Sequence, residues 1–118
     1  MVAFASLLPD CNTLVADSGH NCIVEINPEK MVVFSYNTSK AMGSNPNPNP
    51  TGALRLANGN TIIADQFNNR VIIITPNKKV VFQYGTTNVV GNGPNQLNAP
   101  YSAALIGDYT GVTPPPGL

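Results

Sequence analysis

The segment Asn12-Thr13-Leu14-Val15-Ala16-Asp17 returns 48 residues later as Asn60-Thr61-Ile62-Ile63-Ala64-Asp65. A repeat of this period constrains the fold more than any other feature, because each copy must be one supersecondary unit that stacks on the next. The match runs on in register. Asn21 falls on Asn69, Ile23 on Val71, Val24 on Ile72, Ile26 on Ile74, Pro28 on Pro76 and Lys30 on Lys78. Val32-Val33-Phe34 falls on Val80-Val81-Phe82, and Tyr36 on Tyr84. Upstream, Ala5 and Leu8 fall on Ala53 and Leu56. A third copy begins near Pro100, which matches Pro50 after a two-residue insertion.

Each full copy holds four short runs rich in Val, Ile, Thr, Phe and Tyr, the side chains that suit a pleated sheet. In the second copy the expected strands are Ala53–Leu56, Thr61–Asp65, Val71–Thr75 and Val80–Tyr84. Ala3–Leu8 and Tyr101–Ile106 both read as first strands. Turn residues punctuate the runs. Asn58-Gly59 predicts a type I′ hairpin, which needs positive φ at both positions. Val71-Ile72-Ile73-Ile74 is apolar on both faces, so both faces of that strand must be covered. No window sustains a helical period. The fold class expected is all-β: two four-stranded antiparallel propeller-type blades plus the first strand of a third. Residues 1–48 form blade 1 with its Asn/Pro connection, and 49–98 form blade 2. Residues 99–112 form a partial third repeat, and 113–118 a Pro-rich tail.

The stretch Asn58-Gly-Asn-Thr-Ile-Ile-Ala-Asp-Gln-Phe-Asn-Asn-Arg-Val71, with the later Val80-Val81-Phe82-Gln83-Tyr84-Gly85, resembles an NHL repeat. The blades are also similar to those of arylsulfotransferase-like propellers. The resemblance covers nearly the whole chain. It is weaker in the first copy, where Cys11 stands for Gly59 and Cys22 for Arg70. It implies four-stranded blades arranged in a propeller, usually six-bladed. Enzymes of these families use histidines from several blades, and His20 is the one histidine here.

Only 10% of the residues are charged and the formal net charge is zero, against about 25% charged in an average protein. The lysines and arginines are scattered, which argues against nucleic acid as partner. No apolar run reaches the roughly 18 residues of a membrane span. Met1 to Pro9 lacks the basic start and long apolar stretch of a secretory signal. The neutral, Asn-rich composition suits an extracellular or assembling protein.

Asp17 and Asp65 end equivalent strands and are expected to accept backbone N–H bonds in the turns that follow. Asp65 is placed to form an ion pair with Arg70. His20 lies in a polar turn and reads as solvated. No HExxH, GxSxG or CxxC spacing is present, so no catalytic residue, metal or cofactor is expected. Cys11 and Cys22 lie on neighbouring strands, out of step for a disulfide. Asn37-Thr38-Ser39 is an N-glycosylation sequon. Tyr36, Tyr84, Tyr101 and Tyr109 read as edge and inter-blade packing residues.

Two blades cannot close a ring, and stacked repeats left uncovered expose apolar faces. The leading expectation is therefore a non-enzymatic scaffold that assembles with its own copies head to tail, as ring or filament, and binds protein. Tyr101, Ser102, Ala103, Ala104, Leu105 and Ile106 would join a neighbour's sheet. A glycan-binding propeller and a fragment of a larger propeller enzyme are the alternatives.

Overall fold

The computed structural model describes residues 1–105. It contains two four-stranded antiparallel sheets in simple meander order. Blade 1 comprises β1 (Val2–Leu7), β2 (Thr13–Asp17), β3 (Cys22–Ile26) and β4 (Val32–Asn37). Blade 2 comprises β5 (Gly52–Arg55), β6 (Thr61–Asp65), β7 (Arg70–Ile74) and β8 (Val80–Tyr84). Single 3-10 turns at Ser18–His20, Thr38–Lys40 and Gln66–Asn68 follow β2, β4 and β6.

The repeat is preserved in the pairing register. Val15 lies opposite Val24 in blade 1, as Ile63 lies opposite Ile72 in blade 2. Both third-to-fourth strand pairs carry an irregularity at the same point, Glu25/Ile26 and Ile73/Ile74.

Because side chains alternate across a strand, each blade has a forward face toward the next repeat and a rear face toward the previous one. The forward face of blade 1 presents Leu14, Ala16 and Ile23, with Phe4, Phe34 and Tyr36 beside them. It packs on the rear face of blade 2, which presents Ala53, Ile63, Ile72 and Ile74. Leu14, Ile23, Ile63, Ile72 and Ile74 are fully buried there, each contributing roughly 1.5–3 kcal/mol. The forward face of blade 2 gathers Leu54, Leu56 and Ile62, with Val71, Ile73 and Ala103 against them. Farther out it is open, with Phe82 48% and Tyr84 43% exposed.

The hairpin at Asn58-Gly59 is not type I′. Gly59 has φ 90°, whereas Asn58 is not among the positive-φ residues. Gly59 N–H donates to Leu56 O (3.0 Å) and Leu56 N–H to Asn60 O (2.8 Å), so the loop is a turn closed by one left-handed residue. Asn58 instead uses its side chain, whose Oδ1 accepts from Asn60 N–H at 3.0 Å. In blade 1 the left-handed position is filled by Cys11, at φ 71°.

Tyr101–Leu105 form no regular strand. Tyr101 O accepts from Thr51 Oγ1 at 2.7 Å, and Ala103 rests on the Leu54 cluster. The segment touches blade 2 through its face, and among the described residues no second strand lies alongside to complete a ladder. Ile106, Tyr109, the remainder of 107–112 and the 113–118 tail lie outside the described residues.

Candidate functional site

The polar chemistry of the described residues concentrates where the two blades meet. At the ends of β2 and β6 the chain makes a 3-10 turn and leaves it through a left-handed asparagine, Asn21 (φ 59°) or Asn69 (φ 54°). Asparagine tolerates that conformation. Its carboxamide then ties down the connection to the next repeat. Asn21 Oδ1 accepts from Asn49 N–H at 3.1 Å, and Asn69 Oδ1 accepts from Ala99 N–H at 2.9 Å. The Asn/Pro connection is thus an ordered link between blades, with Pro48 and Pro50 fully buried.

Asp65 and Arg70 sit on the rear face of blade 2, beneath blade 1. Arg70 Nε donates to Asp65 Oδ2 at 2.7 Å, with side-chain exposures of 4% and 0%. Asn68 Nδ2 donates to the same oxygen at 2.8 Å. Asn68 also joins the blades, because its Oδ1 accepts from Asn45 N–H at 2.7 Å. Arg70 reaches Gln83 Oε1 at 3.2 Å. Tyr36 faces this group from blade 1. Burial pushes its phenol above the ordinary range; Arg70 pulls against that shift and Asp65 adds to it.

Neither aspartate caps a backbone N–H, which corrects the expected role. Side-chain partners take both carboxylates. Asp17 Oδ2 is 2.9 Å from His20 Nδ1, and Oδ1 is 3.8 Å from the N-terminal amine. His20 is therefore exposed yet paired, with 78% of its side chain accessible. In repeat register it stands where Asn68 stands in blade 2. Cys22 stands where Arg70 does. Burial, then the Asp17 charge, pushes the Cys22 thiol up, which disfavours a reactive thiolate. Cys11 and Cys22 are both free. Among the described residues, no group of His, Cys, Asp and Glu is arranged to hold a metal ion.

Asn37 Oδ1 accepts from Ser39 N–H at 2.9 Å and from Ser39 Oγ at 2.6 Å. The sequon asparagine is thus folded into the β4 exit turn. Tyr84 Oη accepts from Asn95 N–H at 3.1 Å. A second pair of charges links the two blades. Arg55 Nη2 donates to Glu25 Oε1 at 2.8 Å, bridging blade 2 to blade 1 with exposures of 18% and 10%. Arg55 also lies 5.9 Å, and Lys78 Nζ 5.6 Å, from the Phe34 ring centre. The signal for the bridge was present in the repeat: both charges replace apolar residues of the other copy, Leu7 and Ile73.

Two small clefts flank this junction. One, about 40 Å³, lies between β5 and the 101–103 segment, with Phe4 at its wall. The other, about 150 Å³, is framed by Leu8, Pro9, Asp10 and Arg55.

No family model and no curated protein sequence matches the chain. Solved structures do match. Virginiamycin B lyase from Staphylococcus aureus aligns with TM-score 0.54 and 22% identity, over 70% of this chain and 26% of that one. The same lyase, made catalytically inactive by replacing a histidine with alanine and bound to Quinupristin, aligns with TM-score 0.55 and 21% identity over 78% and 28%. A protein of unknown function from Bacteroides caccae aligns with TM-score 0.55 and 16% identity over 76% and 30%. These likenesses show a propeller-type fold. The chain spans less than a third of the length of each. They also overturn the ground for expecting a non-enzymatic chain, since two of the matched structures are of a lyase, an enzyme.

Proposed function

We propose that this chain is a two-blade portion of a larger β-propeller enzyme of lyase type. One observation carries the reading: the blade pair aligns with lyase structures over 70–78% of its length while spanning 26–28% of theirs. The internal junction supports this reading as a template for further blades. A forward face with Phe34 and Tyr36 closes over a rear face with Ile63 and Ile72. The forward face of blade 2 and the rear face of blade 1 would each receive a further blade in the same way.

Within that ring these two blades act as frame. Asp65, Arg70 and Asn68 bond one another within the junction, with Asp65 Oδ1 and Arg70 Nη2 buried there without a partner, and His20 occupies the matching position of blade 1. The reacting groups would come from surfaces assembled on ring closure. The ligand class to test is the one named with the lyases, Quinupristin. The natural protein is incubated with it, and conversion is followed by chromatography with tandem mass spectrometry. Conversion supports the reading; an intact propeller that leaves the compound unchanged at all protein concentrations refutes the lyase assignment.

A further inference from the structure

We infer that the open forward face of blade 2 is a docking surface for the rear face of blade 1 of a second copy of this chain, joined head to tail. The inference rests on the ring reading above and names the partner that fills it. The internal junction supplies the geometry, and the repeat register tells which residues would meet at the external one.

Three contacts decide the match. At the internal junction Glu25 on the forward face bonds Arg55 on the rear face at 2.8 Å. Their repeat equivalents are Ile73 on the forward face of blade 2 and Leu7 on the rear face of blade 1. Both partners change together, from a charged pair to an apolar pair. A mismatch of either kind would bury an unpaired charge against a hydrocarbon side chain, which is strongly unfavourable. Leu7 is 72% exposed within one chain, and docking covers it with Ile73.

The second contact is kept unchanged. Lys78 Nζ stands 5.6 Å from the Phe34 ring centre at the internal junction. The equivalents Lys30 and Phe82 are again lysine and phenylalanine. Phe82 is 48% exposed and gains a cation over its ring on docking. In the third contact, Tyr36 faces Arg70 and Asp65, whereas Tyr84 would face Cys22 and Asp17. The tyrosine hydroxyl there would meet the Asp17 carboxylate, which pairs with His20 rather than with a guanidinium.

The segment after Ala99 is the competitor for this surface. Ala99 is anchored by Asn69 as Asn49 is by Asn21, and both have φ near +50° (47° and 49°). Ala103 and Leu105 correspond in the repeat to Ala5 and Leu7 of β1, and Ala103 already rests on Leu54. The segment thus holds the place of an incoming β1 at the inner edge of the face. Docking exchanges it for the second copy's β1 and covers Phe82 and Tyr84 as well.

The test is sedimentation equilibrium on the 118-residue chain over a range of concentrations. A concentration-dependent mass at multiples of 12.4 kDa is expected. Leu7→Arg should reduce it to the monomer, as should Ile73→Glu. The double variant Leu7→Arg/Ile73→Glu, which rebuilds the charged pair of the internal junction, should restore association. Circular dichroism confirms that each variant stays folded. A wild-type monomer at hundreds of micromolar overturns the inference, as does a Leu7→Arg variant of unchanged mass. An assembled chain without lyase activity leaves this inference standing and removes only the enzymatic reading; an active monomer does the reverse.

Discussion

Replacing Arg70 by methionine keeps the length of the side chain and removes its charge. Asp65 is then left at 0% exposure with Asn68 as its remaining side-chain donor. Breaking a buried pair from one side costs about 3–5 kcal/mol, because the surviving charge is neither hydrated nor matched. The group here is deeply buried on both sides, so solvent screening does not discount that figure. For a chain of this size, 1 kcal/mol moves the melting midpoint by roughly 3–6 °C, so the variant should melt roughly 10–30 °C lower. The assay is urea unfolding followed by circular dichroism at several protein concentrations, with thermal melts alongside. Asp65→Asn in the Arg70→Met background removes the stranded charge and should recover a substantial part of the loss. A loss below about 1 kcal/mol for Arg70→Met would show that Asp65 and Arg70 behave as an exposed pair rather than a buried one. So would a double variant as unstable as the sum of the two singles, because coupled neighbours are not additive.

Cys11→Gly should stabilise the chain by about 0.5–1 kcal/mol, read by urea unfolding. It relieves about 1–2 kcal/mol of left-handed strain at φ 71°, offset by the chain entropy of glycine. Glu25→Gln and Arg55→Gln, singly and together, should show a coupling of roughly 0.5–3 kcal/mol in a double-mutant cycle, whereas two blades that do not touch would show none. Cys22 has a folded pKa raised by burial and by Asp17. It therefore contributes stability that is full below the ordinary thiol range and is lost as pH rises through the raised folded value. Unfolding free energies of wild type and Cys22→Ser should diverge on the alkaline side in that sense; parallel curves would contradict it. At neutral pH, iodoacetamide should modify exposed Cys11 before Cys22.

The blades were legible in the sequence because period and turn residues carry them. Two copies of Thr-φ-φ-Ala-Asp (φ, an apolar residue) and matched prolines place eight strands within a residue or two of their observed ends. The stacking was legible in Val71–Ile74, whose apolar run demands cover on both faces. What reads poorly from a repeat is the place where the copies differ. Glu25 and Arg55 each look like an isolated surface charge on a strand. Only the juxtaposition of one blade's forward face with the next blade's rear face makes them a pair. The Asp65–Arg70 pair was legible from its spacing, but the capping role given to both aspartates was misread for a related reason. A carboxylate at a strand end ordinarily caps the turn, but Arg70 and His20 lie close enough to compete and are stronger donors. Tyr101–Leu105 has strand composition, yet a strand needs a partner edge. Among the described residues the segment finds the face of blade 2 and no strand edge, and so remains irregular.

The two repeats stack as successive propeller blades, forward face on rear face. Nuclear Overhauser contacts in the isolated chain test this stacking most directly. Cross-peaks are expected from the Phe34 ring to the side chains of Lys78 and Arg55, and from the Tyr36 ring to Arg70. Cross-peaks confined within each repeat, with none between them, would contradict it.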